Sequence, residues 1–237
     1  MIQPNTKITR VFFDFDNTLF DTEKKKQLFY KIAEIHGYSH DEAKKIYAEA
    51  RFAGDKIIIS LAGFLNALRE RLERDAAPFH SVEVSSIIGK MNHGDGLLPG
   101  ARYLLTFCKQ KNLEQYLLSL GVRSWQEEKL NQAGIADLFA PERILYTETL
   151  DVGKIDVLKE VLGAEFAGEG SLLFNDKPDE TARLLEIFPQ LSALVRREAR
   201  DTRYGEPEFI SLEAQFPGRV AWADNLKTLH KHFISLV

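Results

Sequence analysis

The sequence predicts a doubly wound parallel α/β sheet with an all-helical domain inserted after the first strand. Beyond residue 100, short apolar runs alternate with amphipathic segments of helical length, which is typical of parallel βαβ units. The runs are continuously apolar, which indicates a sheet covered by helices on both faces. Residues 22–92 instead have helical periodicity. We therefore expect one domain of residues 1–21 and 93–237 and a helical domain of residues 22–92.

The first element is a strand over residues 8–15, because β-branched and aromatic residues end there in a polar break. In the inserted block, apolar residues recur at helical spacing between 28 and 35, and Ser39 suits the N-cap of a second helix. A third helix is predicted over 55–76, although the isoleucine run near its start also suits a strand. A fourth is predicted over 81–92.

The second half of the chain supplies the rest of the sheet. Its predicted strands lie at 115–121, 143–147, 171–176, 192–197 and 219–224, and its predicted helices at 101–112, 124–139, 154–163, 179–188 and 225–233. A longer excursion, residues 197–218, separates the last two strands.

The composition narrows the class of protein. Hydrophobic residues make up 44% of the 237 positions and the net charge is −4, which argues against a nucleic-acid-binding surface as the main function. A single cysteine, Cys108, excludes an intrachain disulfide and fits a reducing compartment. The N-terminus has no signal-peptide pattern and no apolar run reaches about 18 residues. We expect a cytoplasmic protein without a membrane or nucleic-acid partner.

Chemically active residue types follow the predicted strands. Because ligands bind beyond the carboxyl ends of the strands in open α/β sheets, we expect one site that contains Asp14, Asp16, Thr18, Ser119, Lys154, Asn175, Asp176, Asp179 and Glu180.

Such a cluster of carboxylates is unfavourable without a cation, since like charges repel. Oxygen ligands suit Mg²⁺, which usually takes one or two protein carboxylates. The lysine and the serine suit a phosphoryl group, through positive charge and a hydrogen bond. One carboxylate can attack phosphorus, and a second can protonate the leaving oxygen and later activate water.

The motifs "DFDNT", "LLSLG", "GK" and "NDKPDE", in this order, resemble those of the haloacid dehalogenase superfamily of phosphohydrolases, and the insertion falls where that family has its class I helical cap. The resemblance implies a Rossmann-like core. It also implies that Asp14 is the nucleophile and a metal ligand, and that Asp16 is the general acid/base with its backbone carbonyl on the metal.

The same resemblance extends to the later motifs. It implies phosphate-binding or first-motif hydroxyls at Thr18 and Ser119, and a lysine at Lys154 that steadies nucleophile and phosphate. Asp176 would be a metal-bound acid, with Asp179 or Glu180 in the outer shell of the metal.

The expected function is a Mg²⁺-dependent phosphatase for a small phosphorylated metabolite, of the nucleoside monophosphate, sugar phosphate or phosphoglycolate type. A 2-haloacid dehalogenase is disfavoured because it has no use for a leaving-group acid at Asp16. A phosphomutase of the same superfamily and a non-catalytic binding protein on the same scaffold remain alternatives.

Overall fold

The structure is a computed structural model that describes residues 2, 6–53, 56–57, 59–94, 96–147 and 153–237. For residues 52–53 and 56–57 it describes the backbone alone. Six parallel strands form the main sheet in the order β5-β4-β1-β6-β7-β8. The strands are β1 Arg10–Asp14, β2 Phe52–Ala53, β3 Lys56–Ile57, β4 Glu114–Leu120, β5 Ile144–Thr147, β6 Ser171–Asn175, β7 Ser192–Arg196 and β8 Val220–Ala223.

The helices are α1 Thr22–Glu34, α2 His40–Arg51, α3 Leu61–Arg74, α4 Ser81–Met91, α5 Ala101–Gln110, α6 Arg123–Ala133, α7 Lys154–Leu162, α8 Pro178–Ile187, α9 Glu206–Gln215 and α10 Leu226–Ile234. Two short 3₁₀ helices, Ala136–Leu138 and Pro141–Arg143, precede β5.

Alternating side chains of the strands build a core on each face of the sheet. On one face, Phe13 and Phe174 stack with ring centroids 5.1 Å apart, and α5, α6 and α10 cover them. On the other face, Phe12 and Leu173 pack against α7, α8 and α9. Burial of both faces explains the continuously apolar strands and confirms the predicted doubly wound α/β class.

The inserted block has a core of its own. Phe29 of α1, Tyr47 of α2 and Phe64 of α3 pack together, with 4.9 Å between the ring centroids of Phe29 and Phe64. Trp125 of α6 joins this cluster, 6.1 Å from the ring of Phe29. The block therefore packs onto the helix that follows β4.

One predicted helix starts later than expected. Helix α3 begins at Leu61, where the Ser60 hydroxyl accepts a hydrogen bond from the Gly63 N–H at 3.0 Å. Before it, β2 and β3 form a two-stranded antiparallel hairpin. The predicted helix was wrong over the described residues 56–57 and 59–60, and the insertion is not purely helical as expected. The β-branched residues there favour strand pairing, while Ser60 supplies the N-cap.

Among the described residues, no helix combines the length and the apolar character needed to span a bilayer.

Candidate active site

Strand β1 places Asp14 at the centre of the sheet. Strand β1 lies between β4 and β6. From β4 the chain continues to one edge of the sheet, and from β6 it continues to the other. This is the switch point at which open α/β sheets bind ligands. Asp14 is the last residue of β1 and only 3% exposed.

The loop after β1 turns back on itself. The Phe15 carbonyl accepts hydrogen bonds from the backbone N–H groups of Leu19 and Phe20, both at 2.9 Å. Asn17 has a φ of 59°, which asparagine tolerates better than most residues. This turn brings Thr18 back towards the strand, where its hydroxyl donates to Asp14 Oδ2 at 3.0 Å.

Lys154 pairs with the other oxygen of Asp14. Its Nζ lies 2.6 Å from Asp14 Oδ1 and 2.5 Å from Glu180 Oε2. Asn175 donates to the same Glu180 oxygen at 3.1 Å. The first residue of α7 thus joins the end of β1 to the first turn of α8.

Burial and pairing act in opposite directions on these groups. Burial raises the pKa of Asp14 above its ordinary value, and Lys154 opposes that shift only in part. For Lys154, burial lowers the pKa, but Asp14 and Glu180 outweigh it and the net shift is upward. For Glu180, Lys154 and Lys177 overcome burial and lower the pKa to about 2.

Asp176 follows β6 and faces the same region. It is 3% exposed, and its Oδ1 has no hydrogen-bond partner among the described residues. Burial, followed by the negative charge of Asp14, raises its pKa to about 8. A buried carboxyl group whose ionisation is opposed by a neighbouring carboxylate is one that a bound cation would stabilise in its charged form.

Asp16 lies in a contrasting environment. Its Oδ1 accepts hydrogen bonds from Lys129 and Thr22, and its Oδ2 accepts one from Gln126 Nε2 at 3.0 Å. Burial disfavours the charged form, but these donors, above all Lys129, shift the pKa of Asp16 below its ordinary value. Its side chain is 29% exposed.

Asp14, Asp16 and Asp176 open onto one cleft. Its other lining residues come from the β1 loop, the insertion, the end of β4, α6 and the segments after β6 and β7: Asn17, Thr22, Lys26, Tyr47, Arg51, Ile59, Leu120, Trp125, Gln126, Lys129, Lys177 and Arg203. The inserted block therefore forms part of the wall around the carboxylates.

Two predicted residues are not part of the described contacts around Asp14 and Lys154. Ser119 lies inside β4, paired with Tyr146. Its Oγ is buried without a hydrogen-bond partner among the described residues. Asp179 accepts a hydrogen bond from the Tyr204 hydroxyl at 2.6 Å, so Glu180 is the acid of this pair that contacts Lys154.

The excursion after β7 braces the β1 loop. Buried Arg196 donates to the Asn17 carbonyl at 2.6 Å and to Glu198 at 2.8 Å. Arg200 pairs with both Glu198 and Asp21, each at 2.7 Å. The start of residues 197–218 thus supports the loop that carries Asp16.

The sequence reasoning missed Gln126 and Lys129, which contact Asp16. Both are buried on α6, although glutamine and lysine are ordinarily exposed. A signal was present, since residues three apart share a helix face and the apolar neighbours Trp125 and Leu130 place that face inward.

Among the described residues, no group of three or more His, Cys, Asp or Glu side chains is arranged to hold a metal ion. A site of two carboxylates and one backbone carbonyl falls below that number, and Mg²⁺ commonly uses only one or two protein carboxylates. The partnerless Oδ1 of Asp176 and the raised pKa values of Asp14 and Asp176 fit a divalent cation.

The fold and the site place three carboxylates at the switch point of a doubly wound sheet. A sequence model of the haloacid dehalogenase-like hydrolases matches residues 8–156, more than half of the chain. The chain belongs to that family. No curated protein sequence matched it.

Solved structures are similar over nearly the whole chain. A haloacid dehalogenase-like family hydrolase from Xanthomonas campestris has a TM-score of 0.66 and 15% identity, over 100% of this chain and 94% of that one. A proposed β-phosphoglucomutase from Thermotoga maritima has a TM-score of 0.61 and 16% identity, over 97% and 100%. A proposed hydrolase of the family from Bacillus subtilis, solved with bound magnesium, has a TM-score of 0.57 and 15% identity, over 96% and 99%. At such identities the likeness concerns the fold.

Proposed function

We propose that this hydrolase is a Mg²⁺-dependent phosphatase that acts on a small phosphorylated metabolite, of the nucleoside monophosphate, sugar phosphate or phosphoglycolate type, through an aspartyl-phosphate on Asp14. The observation that carries the proposal is the pair of carboxylates on one cleft. Asp14 is fixed by Lys154 and Thr18, and Asp16 lies two residues further on with different partners.

In the first step, an oxygen of Asp14 attacks phosphorus and the bond from phosphorus to the ester oxygen breaks. Asp16 gives its proton to the departing oxygen. Asp16 must be protonated at that moment, and the negative charge of a bound phosphate group raises the pKa of a neighbouring carboxyl group. The products of this step are the free alcohol and the aspartyl-phosphate.

In the second step, Asp16 accepts a proton from a water molecule while that water attacks the phosphorus. The bond to Asp14 breaks, and inorganic phosphate leaves. Lys154 keeps positive charge beside Asp14 in both steps, which opposes the build-up of negative charge on the phosphoryl group.

Residues at the end of β1 and after β6 would hold the metal ion, namely the carboxylates of Asp14 and Asp176 and the backbone carbonyl of Asp16. When bound, Mg²⁺ would supply positive charge for the phosphoryl oxygens. The role of Asp16 as an acid also argues against a 2-haloacid dehalogenase, in which no leaving oxygen needs a proton.

Residues 22–92 would act as the cap domain of the proposed enzyme and residues 1–21 and 93–237 as its catalytic core. The proposed cap contributes Lys26, Tyr47 and Arg51 to the cleft wall. Closure of such a block over the site would exclude bulk water and select the leaving group.

Hydrolysis of p-nitrophenyl phosphate by the purified protein tests the proposal. We expect turnover with Mg²⁺, none with EDTA, and a loss of at least about a thousandfold for Asp14→Asn, because the nucleophile is then absent. Turnover that persists in EDTA or in Asp14→Asn would contradict it. Transfer of phosphate between positions of a sugar phosphate, without release of inorganic phosphate, would instead identify a mutase.

A further inference from the structure

The side chain of Lys129 is almost completely buried. It is only 4% exposed, although lysine is almost never buried without a partner. Its ammonium group lies 5.2 Å from the ring centroid of Phe15 and 5.4 Å from that of Phe20. Both rings belong to the loop that carries Asp16. The same loop therefore supplies the two rings that pack against Lys129 and the carboxylate that Lys129 binds.

The carboxylate of Asp16 is fixed at both oxygens. Lys129 and Thr22 donate to Oδ1, and Gln126 donates to Oδ2. The same Gln126 nitrogen also donates to the Leu120 carbonyl at 2.7 Å. Because two of the three donors lie on α6, rotation of the Asp16 side chain away from the cleft would break contacts to a rigid helix.

Gly121 is part of this arrangement. Its φ is 138°, and a Cβ there would lie 2.7 Å from Gln126 Nε2. Glycine therefore allows Gln126 to reach both the Leu120 carbonyl and Asp16. Residues at the end of β4, at the start of α6 and in the β1 loop thus fix a single orientation of the Asp16 carboxylate.

A second buried lysine shows that burial alone does not create this contact. Lys25 lies 4.4 Å from the ring centroid of Trp125 and donates to Gln132 Oε1 at 3.1 Å. It shares the ring of Phe20 with Lys129, but it does not bond to Asp16. Lys25 is therefore a matched neighbour in burial and packing, without the catalytic contact.

We infer that Lys129 is a positioning residue that holds the Asp16 carboxyl group against the cleft wall, where it meets the leaving-group oxygen. This inference rests on the proposed phosphatase function, since it gives Lys129 an effect only through Asp16. Gln126 fixes the second oxygen in the same orientation. Loss of Lys129 would leave Asp14, Lys154 and the phosphoryl contacts in place. It would impair proton transfer because the Asp16 carboxyl group loses its orientation, although removal of the positive charge favours the protonated form.

The test compares kcat/KM for p-nitrophenyl phosphate, a good leaving group, with that for 4-methoxyphenyl phosphate, a poor one. This parameter reports the steps up to departure of the leaving group, and a poor leaving group depends on the acid. We expect Lys129→Met to lower kcat/KM for the poor leaving group about tenfold or more beyond its effect on the good one, a fraction of the full contribution of a general acid.

Two further variants separate positioning from folding. In an Asp16→Asn background, Lys129→Met should have less than about a twofold further effect, because contacts that act as one unit are not additive. Lys25→Met should leave the ratio between the two substrates unchanged, whatever its effect on the melting temperature. Equal losses on both substrates, or additive losses in the double variant, would overturn the inference.

Lys129→Arg and Lys129→Gln cover the case in which the methionine variant does not fold. Arginine keeps the charge but moves the donors, so it should change the substrate ratio in the same direction by a smaller factor. An unchanged ratio in both variants would reject the role of Lys129. The proposed function fails separately, if the wild-type protein with Mg²⁺ turns over neither substrate.

Discussion

Asp14 and Asp16 are two residues apart in the chain and belong to opposite halves of the site. Asp14 lies in the sheet, in a crowd of carboxylates that burial and mutual repulsion make hard to ionise. Asp16 lies where the loop meets α1 and α6, and its donors lower its pKa. One short motif thus places two carboxyl groups in environments with opposite effects on their pKa values, because residues from distant parts of the chain surround each of them.

Removal of the Lys154 ammonium group beside Asp14 should have the largest effect on activity and stability. Lys154→Met would leave Asp14 and Glu180 without their buried counter-charge. We expect activity to fall at least about a thousandfold and the free energy of unfolding to fall by about 3 kcal/mol, the scale of a broken buried ion pair. Steady-state rates and urea unfolding measure the two effects.

Lys159→Met, on the outer part of the same helix, is the control for α7. It should change neither quantity appreciably, as expected for an exposed position. A Lys154→Met protein with wild-type stability would show that the Asp14 half does not depend on this ion pair.

Removal of Asp16, but not of Asp14, should lower the stability of the metal-free protein at pH 8. Asp16→Asn leaves Lys129 without its paired carboxylate and should lower the free energy of unfolding by about 1–3 kcal/mol, less than for a fully buried pair because Asp16 is partly exposed. Asp14→Asn relieves the repulsion with Asp176, while Lys154 keeps Glu180, so stability should be unchanged or higher. Urea unfolding in EDTA measures both changes in the free energy of unfolding. Equal destabilisation by the two substitutions would contradict the difference between the environments of Asp14 and Asp16.

The raised pKa of Asp176 predicts how stability depends on pH. Asp176 retains its proton in the folded protein up to about pH 8, whereas in the unfolded chain it releases the proton near pH 4. Between these values Asp176 binds fewer protons in the unfolded state, so its contribution to the free energy of unfolding of the metal-free protein falls as pH rises from about 4 to about 8.

Asp176→Asn should flatten that slope, by at least about 1.4 kcal/mol over the window, the worth of one pKa unit. Mg²⁺ at about 100 times its dissociation constant should raise wild-type stability near pH 8 by about 2.7 kcal/mol and the variant much less. Melting curves at several pH values, with and without Mg²⁺, decide this. The same slope in wild type and variant would show that Asp176 does not cause the pH dependence of stability.

Ser119→Ala should give the smallest effect on activity and stability. It would show whether Ser119 binds the phosphate group or only packs in β4. Its Oγ is buried without a partner among the described residues, so its loss should leave stability unchanged or raise it by up to about 1 kcal/mol. If the hydroxyl binds the phosphate group, KM for p-nitrophenyl phosphate rises up to about tenfold, the worth of one hydrogen bond. An unchanged KM would leave Ser119 as a packing residue of β4.

The sequence predicted the Asp14 half better than the Asp16 half. Asp14, Lys154 and Asp176 follow strands, and parallel strands bring their carboxyl ends to one edge, so alternation of apolar runs was enough to expect them together. Lys129 and Gln126 depend on the rotation of α6 about its axis, which no strand pattern specifies. The hairpin before α3 was missed because a run of isoleucines suits both helix and strand, and only the pairing with residues 52–53 decides between them.

The position of β1 also has a consequence for biosynthesis. Strand β1, which carries the proposed nucleophile, is synthesised before the other strands of the sheet, yet Arg10 pairs with Glu114 on one side and Ser171 on the other. At roughly 5–20 residues per second, the ribosome needs on the order of ten to thirty seconds to deliver the second neighbour. Until then β1 is an apolar strand with an open edge, the kind of segment that chaperones bind and aggregates recruit. The centre of the finished active site is thus the part of the nascent chain that waits longest for its partners.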